Sequence, residues 1–147
     1  MVQKILAVLM FAVMLTACGT EKAEDNSISV SESAETTEDV VLTYEQISAE
    51  DAKKLMDTAS DYIIVDARTT EEFAEGHIPN AILIPEYEIA DRAPAELPDK
   101  DRLILVYCRS GRRSKIASAA LVELGYTNVK EFGGIIDWPY DIVAEDQ

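Results

Sequence analysis

The stretch Leu103-Ile104-Leu105-Val106-Tyr107-Cys108-Arg109-Ser110-Gly111-Arg112-Arg113-Ser114 decides how this chain is read. Its first half is a short apolar run rich in β-branched residues, which predicts a buried strand. It ends in a thiol, passes through a loop of Gly and Arg, and enters Ser114-Lys115-Ile116-Ala117-Ser118-Ala119-Ala120-Leu121, which reads as a helix. Such a loop aims successive backbone N–H groups at one point, and a helix N-terminus adds positive potential there. Both favour a thiolate over a thiol, and three arginines strengthen them. A free cysteine titrates near ~8.5, and settings of this kind lower it by one to several units. The run predicts an activated sulfur nucleophile in an anion-binding cradle.

The chain has two cysteines, and the other has a separate task. Lys4 is the sole charge in the first twenty residues, and Ile5 to Leu15 is unbroken apolar sequence. These are the n-region and h-region of an export signal, too short for a comfortable membrane span. The run closes on Leu15-Thr16-Ala17-Cys18, which resembles the bacterial lipoprotein signal, the lipobox. That resemblance implies residues 1–17 as a signal peptide, cleavage before Cys18, lipidation of its sulfur, and tethering to the extracytoplasmic face of a bacterial membrane. Lipid-modified Cys18 cannot pair with Cys108, so the exported domain carries one free thiol where disulfides are permitted.

Residues 18–39 then read as an acidic linker. Glu21, Glu24, Asp25, Glu32, Glu35, Glu38 and Asp39 stand against Lys22, with Ile28 and Val30 the only large apolar residues. Such a segment cannot bury enough surface to offset its ordering entropy and is expected to be disordered, a self-repelling spacer. Residues 40–147 make one domain, long enough for a single core. The whole chain carries a net charge of −15, which makes nucleic acid and anionic membrane faces poor partners. Arg109, Arg112 and Arg113 fall within five positions of this acidic domain, a local basic spot better suited to a small anion than to a polyanion.

A pass along the domain predicts strands at Val40 to Thr43, Tyr62 to Asp66, Ala81 to Ile84, Leu103 to Tyr107 and Asn128 to Phe132. Helices are expected from Ser48 as N-cap through Met56, from Thr70 to Glu75 stopped by Gly76, loosely from Glu86 to Asp91, and from Arg113 to Leu124. Pro94 and Pro98 are expected to break the pattern, and Gly133-Gly134 to turn the chain into a closing helix containing Trp138. Apolar strands separated by helices imply an α/β fold with a mainly parallel sheet covered on both faces. Ligands collect at the carboxyl ends of such strands, where Asp66 and Cys108 both lie.

Four blocks in order resemble a known family. Asp66-Ala67-Arg68 with Glu72-Phe73, Gly76-His77-Ile78-Pro79-Asn80-Ala81, the Tyr107 to Ser114 run and Gly133-Gly134-Ile135-Ile136-Asp137-Trp138 together look like a single-domain rhodanese, a sulfurtransferase. The resemblance implies a rhodanese-like five-stranded parallel sheet flanked by helices on both faces, with the nucleophile after the central strand. It also implies that Cys108 takes a sulfane sulfur from a donor such as thiosulfate and passes it to cyanide or a thiol. Thiosulfate is a dianion, so a guanidinium can neutralise its sulfonate end while the thiolate attacks the outer sulfur.

Arg109 and Arg113 are the first candidates for substrate contact, and Arg112 the next. Backbone N–H groups from Ser110 to Arg113 would hold the persulfide, with Gly111 supplying the backbone angles the loop demands. Asp66 and Arg68 are expected to orient the loop from behind, and an Arg68–Glu72 ion pair is expected at helical spacing. His77 reads as a turn residue, Trp138 as core, and Asn80 as a residue tolerant of left-handed angles where many relatives carry Gly.

Cysteine phosphatases and arsenate reductases are the nearest enzymatic rivals. The phosphatases place an arginine six residues after the cysteine, where this chain has Ser114. A non-catalytic sulfide carrier or protein-binding module is the other alternative, and it too would need Cys108. No cofactor is required. One histidine and one available thiol offer no metal ligand cluster, and a monomer is expected.

Overall fold

The computed structural model describes residues 43–144. Residues 1–17, Cys18, the 18–39 segment and Val40 to Leu42 of the expected first strand lie outside the described residues. Within them the elements are β1 (Glu45–Gln46), α1 (Ala49–Thr58), β2 (Tyr62–Asp66), α2 (Thr70–Glu75) and β3 (Ala81–Leu83). A 3-10 turn (Glu86–Glu88) leads into α3 (Ile89–Glu96), followed by β4 (Leu103–Cys108), α4 (Arg112–Glu123), β5 (Val129–Gly134) and a last 3-10 turn, Ile135–Asp137.

The five strands form one sheet in the order β1-β5-β4-β2-β3, with every pairing parallel. The fold is therefore the expected α/β sheet. β4 lies at its centre, and all six of its residues are buried. Period-2 alternation divides them between the two faces. Ile104, Val106 and Cys108 pack with Ala93, Leu97, Ala117 and Leu121 of the α3 and α4 side. Leu103, Leu105 and Tyr107 pack with Ala52 of α1, Phe132 and Trp138. Cys108 is thus a core residue by position and the residue at which β4 gives way to the Gly- and Arg-rich loop.

Local chemistry sets the helix starts. The Ser48 hydroxyl accepts the Asp51 N–H at 3.0 Å and caps α1. Thr69 and Glu72 form a reciprocal capping box on α2.

Four expectations are corrected. Thr43 is not in a strand, and β1 begins two residues later at Glu45. Pro94 lies inside α3 rather than ending it. The carbonyl it leaves without an N–H donor belongs to exposed Ala90, which solvent can reach. Buried Ile89 and Ala93 anchor the helix, and the Tyr126 hydroxyl, with one proton to share, lies 2.8 and 2.7 Å from the carbonyl oxygens of Ala93 and Leu97. β5 continues through Gly133 and Gly134 instead of turning there, and the expected closing helix is a single 3-10 turn with Trp138 just past it.

That extension of β5 matters for the site. Val106 pairs with Glu131, but Cys108 pairs with Gly134, so β5 spends one more residue than β4 over the same step. The extra residue is a bulge, and Gly133 takes a φ of 89° to make it. Bulges of this kind re-aim strand ends beside functional sites.

Candidate active site

Cys108 ends the central strand and is 1 % exposed. Gly111 follows in the left-handed region (φ 94°) and stands as N-cap of α4. This turns its N–H back onto the Cys108 Sγ at 3.1 Å. Burial pushes the thiol up. Hydrogen bonding from Ser114, Ser110 and Gly111 outweighs it and leaves the thiol below its ordinary value. Of the N–H groups expected around the sulfur, from Ser110 to Arg113, Gly111 makes the hydrogen bond found among the described residues.

The loop is braced from three sides. From β5, Gly134 lies so close that a Cβ there would overlap the Arg109 carbonyl oxygen and sit 2.5 Å from the Ser110 Cα. From below, the carboxylate of Glu131, 2 % exposed, accepts the Ser114 hydroxyl at 2.6 Å and the Gly133 N–H at 2.8 Å on the same oxygen. From α2, Glu72 accepts two hydrogen bonds from the Arg113 guanidinium, at 2.6 and 2.7 Å. That pairing holds the Glu72 carboxyl down at about 2, with burial opposing and the Thr69 N–H assisting.

The candidate arginines therefore divide. Arg113 is taken by Glu72, although its charge still acts on Cys108 through space. Arg109 and Arg112 are exposed and form no ion pair with another described residue. Ser110 is exposed as well, and Gly111 buried.

Asp66 and Arg68 lie at the neighbouring strand end. The Ala67 N–H, between them, donates to the Tyr107 carbonyl at 2.9 Å. The expected Arg68–Glu72 pair is corrected. Arg68 instead donates to Asp66, closest at 2.6 Å, and to the Gly76 carbonyl at 2.7 Å. Arg68 precedes the α2 N-cap, so the helical i,i+4 spacing never applies to it.

His77 behaves as a turn residue. Its Nδ1 lies 2.9 Å from the Phe73 carbonyl, its ring stacks on Phe73 at 3.7 Å, and its backbone bridges to Val143. Asn80 takes a φ of 66°, as its side chain permits. Trp138 is 9 % exposed in the core of the α1 face and also walls a cleft of about 400 Å³. Residues 108–114 do not line that cleft. Among the described residues, no three of His, Cys, Asp and Glu gather into a metal-holding group.

Glu131, Ser114 and Gly134 were not singled out as site residues in the sequence. Glu131 left one signal. It shares strand parity with buried Val129, so an acid there occupies an inward position.

A parallel α/β sheet with a cysteine in a backbone cradle after its central strand defines a class of thiol-dependent group-transfer sites. The Rhodanese-like domain family matches residues 48–139, and the chain belongs to that family. A sulfurtransferase of Allochromatium vinosum is 42 % identical over 94 residues, covering 63 % of this chain and 86 % of the relative. Thiosulfate sulfurtransferase PspE of Escherichia coli is 40 % identical over 73 residues, covering 50 % and 70 %. Among solved structures, a rhodanese with anions from E. coli shares 36 % identity with a TM-score of 0.54, covering 57 % of this chain and 99 % of that one. A rhodanese-related protein from Thermoplasma volcanium shares 31 % with a TM-score of 0.60, covering 69 % and 100 %. Sulfur transfer of the rhodanese kind is the chemistry these relatives and this site have in common.

Proposed function

We propose that this chain moves a sulfane sulfur through a persulfide on Cys108. The thiolate attacks the outer sulfur of a donor such as thiosulfate, the sulfur–sulfur bond of the donor breaks, and sulfite leaves with the electron pair. The persulfide anion then yields its outer sulfur to a thiophilic acceptor, cyanide or a thiol, and Cys108 departs as the thiolate. The observation that carries this reading is the Gly111 N–H on a buried Sγ at 3.1 Å inside the braced loop. Such a cradle favours the anion in both states and needs no second acid or base. Arg109 and Arg112, exposed and outside any ion pair with a described residue, are the proposed partners of the sulfonate, and Arg113 contributes charge from its pair with Glu72.

The test is intact mass after thiosulfate. A gain of one sulfur atom that cyanide removes, absent in Cys108→Ser, is expected. No adduct with any sulfane donor overturns the reading. Because the thiol lies below its ordinary value, loading is expected to rise with pH through a midpoint under the usual cysteine range.

We further propose that the protein is exported and tethered through lipid on Cys18. The support is Lys4, the Ile5 to Leu15 run and Leu15-Thr16-Ala17-Cys18. Incorporation of labelled palmitate in a bacterial host, lost in Cys18→Ala, is the expected outcome.

A further inference from the structure

Ser114 carries one hydroxyl proton and faces two acceptors that can be anions. Its oxygen is buried at the first turn of α4 beside Cys108, where a proton donated to the sulfur would favour the thiolate. Yet its hydrogen-bond partners are Glu131 Oε1 at 2.6 Å and the carbonyls of Gly111 and Gly133 at 3.0 and 3.3 Å. A serine hydroxyl donates once, so a proton held by the carboxylate is withheld from the sulfur. The same carboxylate oxygen takes the Gly133 N–H and lies 3.9 Å from where a Gly111 Cβ would be, directly beneath the cradle. The sulfur-transfer reading gives Glu131 no part in the reaction.

We propose that Glu131 is a positioning residue for Cys108: it claims the Ser114 proton, so that backbone N–H groups alone hold the sulfur anion. The consequence is chemical. A thiolate with fewer donors has a higher proton affinity and is the stronger nucleophile, whereas an over-stabilised one attacks more slowly. Glu131 therefore trades some thiolate population for reactivity of the sulfur.

The inference rests on sulfur transfer only in giving the thiolate a purpose. Its test reads the thiol itself, so the two readings fail separately. The pH dependence of Cys108 alkylation by iodoacetamide, followed on the peptide carrying Cys108 in the full chain, is compared among wild type, Glu131→Gln, Ser114→Ala and the double variant. The Gln side chain keeps an acceptor but loses the charge, which releases the hydroxyl to the sulfur. The expected result is a midpoint lower by roughly half to one pH unit, with a high-pH plateau rate lower by roughly two- to threefold. Adding Ser114→Ala to Glu131→Gln is expected to return most of the shift, and Ser114→Ala alone to move the midpoint little.

The other charged groups at this end of the sheet are Arg113 with Glu72, Asp66 with Arg68, Glu86, and Arg109 and Arg112. They are common to all four proteins, so the difference isolates Glu131. An unshifted midpoint in a folded Glu131→Gln protein overturns the proposal. So does a full shift that survives in the double variant, which would mean the charge acts directly. A large rise in Ser114→Ala alone would show that the native hydroxyl already serves the sulfur, and this arm stands even if Glu131→Gln does not fold.

Discussion

Two arginine–carboxylate pairs occupy the same end of the sheet, and they are built for different work. Asp66–Arg68 spans two positions in sequence and is nearly closed to solvent, with side-chain exposures of 0 and 6 %. Glu72–Arg113 spans forty-one positions, is bidentate, and stays 25 and 19 % exposed. The inner pair fastens β2 to the turn at Gly76 and packs the guanidinium against Tyr107, 5.6 Å from the ring centre. It has no direct bond to the cysteine loop. The outer pair ties the first turn of α4, which carries that loop, to the cap of α2. Inside the core, charge is a structural commitment. At the rim, it is an adjustable restraint on reactive backbone.

Two substitutions and acid pH can break that division, and a third substitution acts on the loop without either pair. Asp66→Ala leaves a buried guanidinium without its partner, and a loss of about 3–5 kcal/mol in urea unfolding is expected. Gly134→Ala touches neither pair but pushes on Arg109 and Ser110. A stability loss of about 1–3 kcal/mol is expected, with sulfur loading falling by a larger factor than stability alone explains, as measured by stopped reaction and mass. Glu72→Gln keeps the α2 capping box and removes only the charge. About 1 kcal/mol of stability and a several-fold loss in loading rate are expected. A cost equal to that of Asp66→Ala would erase the distinction between the pairs.

The smallest effect is acid sensitivity. The Glu72 carboxyl is lower in the folded chain, about 2, than its ordinary 4.5. Its contribution is therefore complete above about 4.5 and lost as pH falls towards 2. With solvent screening, roughly 1 kcal/mol is expected to disappear over that window in wild type and not in Glu72→Gln, measured by thermal unfolding at several pH values.

The fold was legible because its strands are apolar runs of the right length, punctuated by Gly and Pro. β2 and α2 have the bounds the sequence predicts, and β4 extends one residue further, to Cys108 itself. The Gly111 contact with Cys108 was legible too, since the two stand three positions apart just before the helix start. What escaped depends on distance in sequence. Glu72 reads locally as an i,i+4 partner for Arg68, and nothing near it announces Arg113. Glu131 meets Ser114 only because β5 lies beside β4 with a bulge in register. Gly133-Gly134 reads as a turn by composition, whereas one glycine makes the bulge and the other permits backbone contact. The expected Trp138 helix stops after one turn because Pro139 follows and holds Trp138 in extended backbone angles.

The contact between Gly134 and the Arg109–Ser110 backbone has one more consequence. A catalytic loop can usually be lengthened by a residue, because added chain bulges into solvent. Here the neighbouring strand acts as a fixed wall, and slack inserted after Cys108 has to displace β5 before it can widen the bowl around the sulfur. The aperture is thus gauged by a second segment of chain. A version of this domain retooled for a bulkier tetrahedral anion would need coordinated change in two places, twenty-odd residues apart.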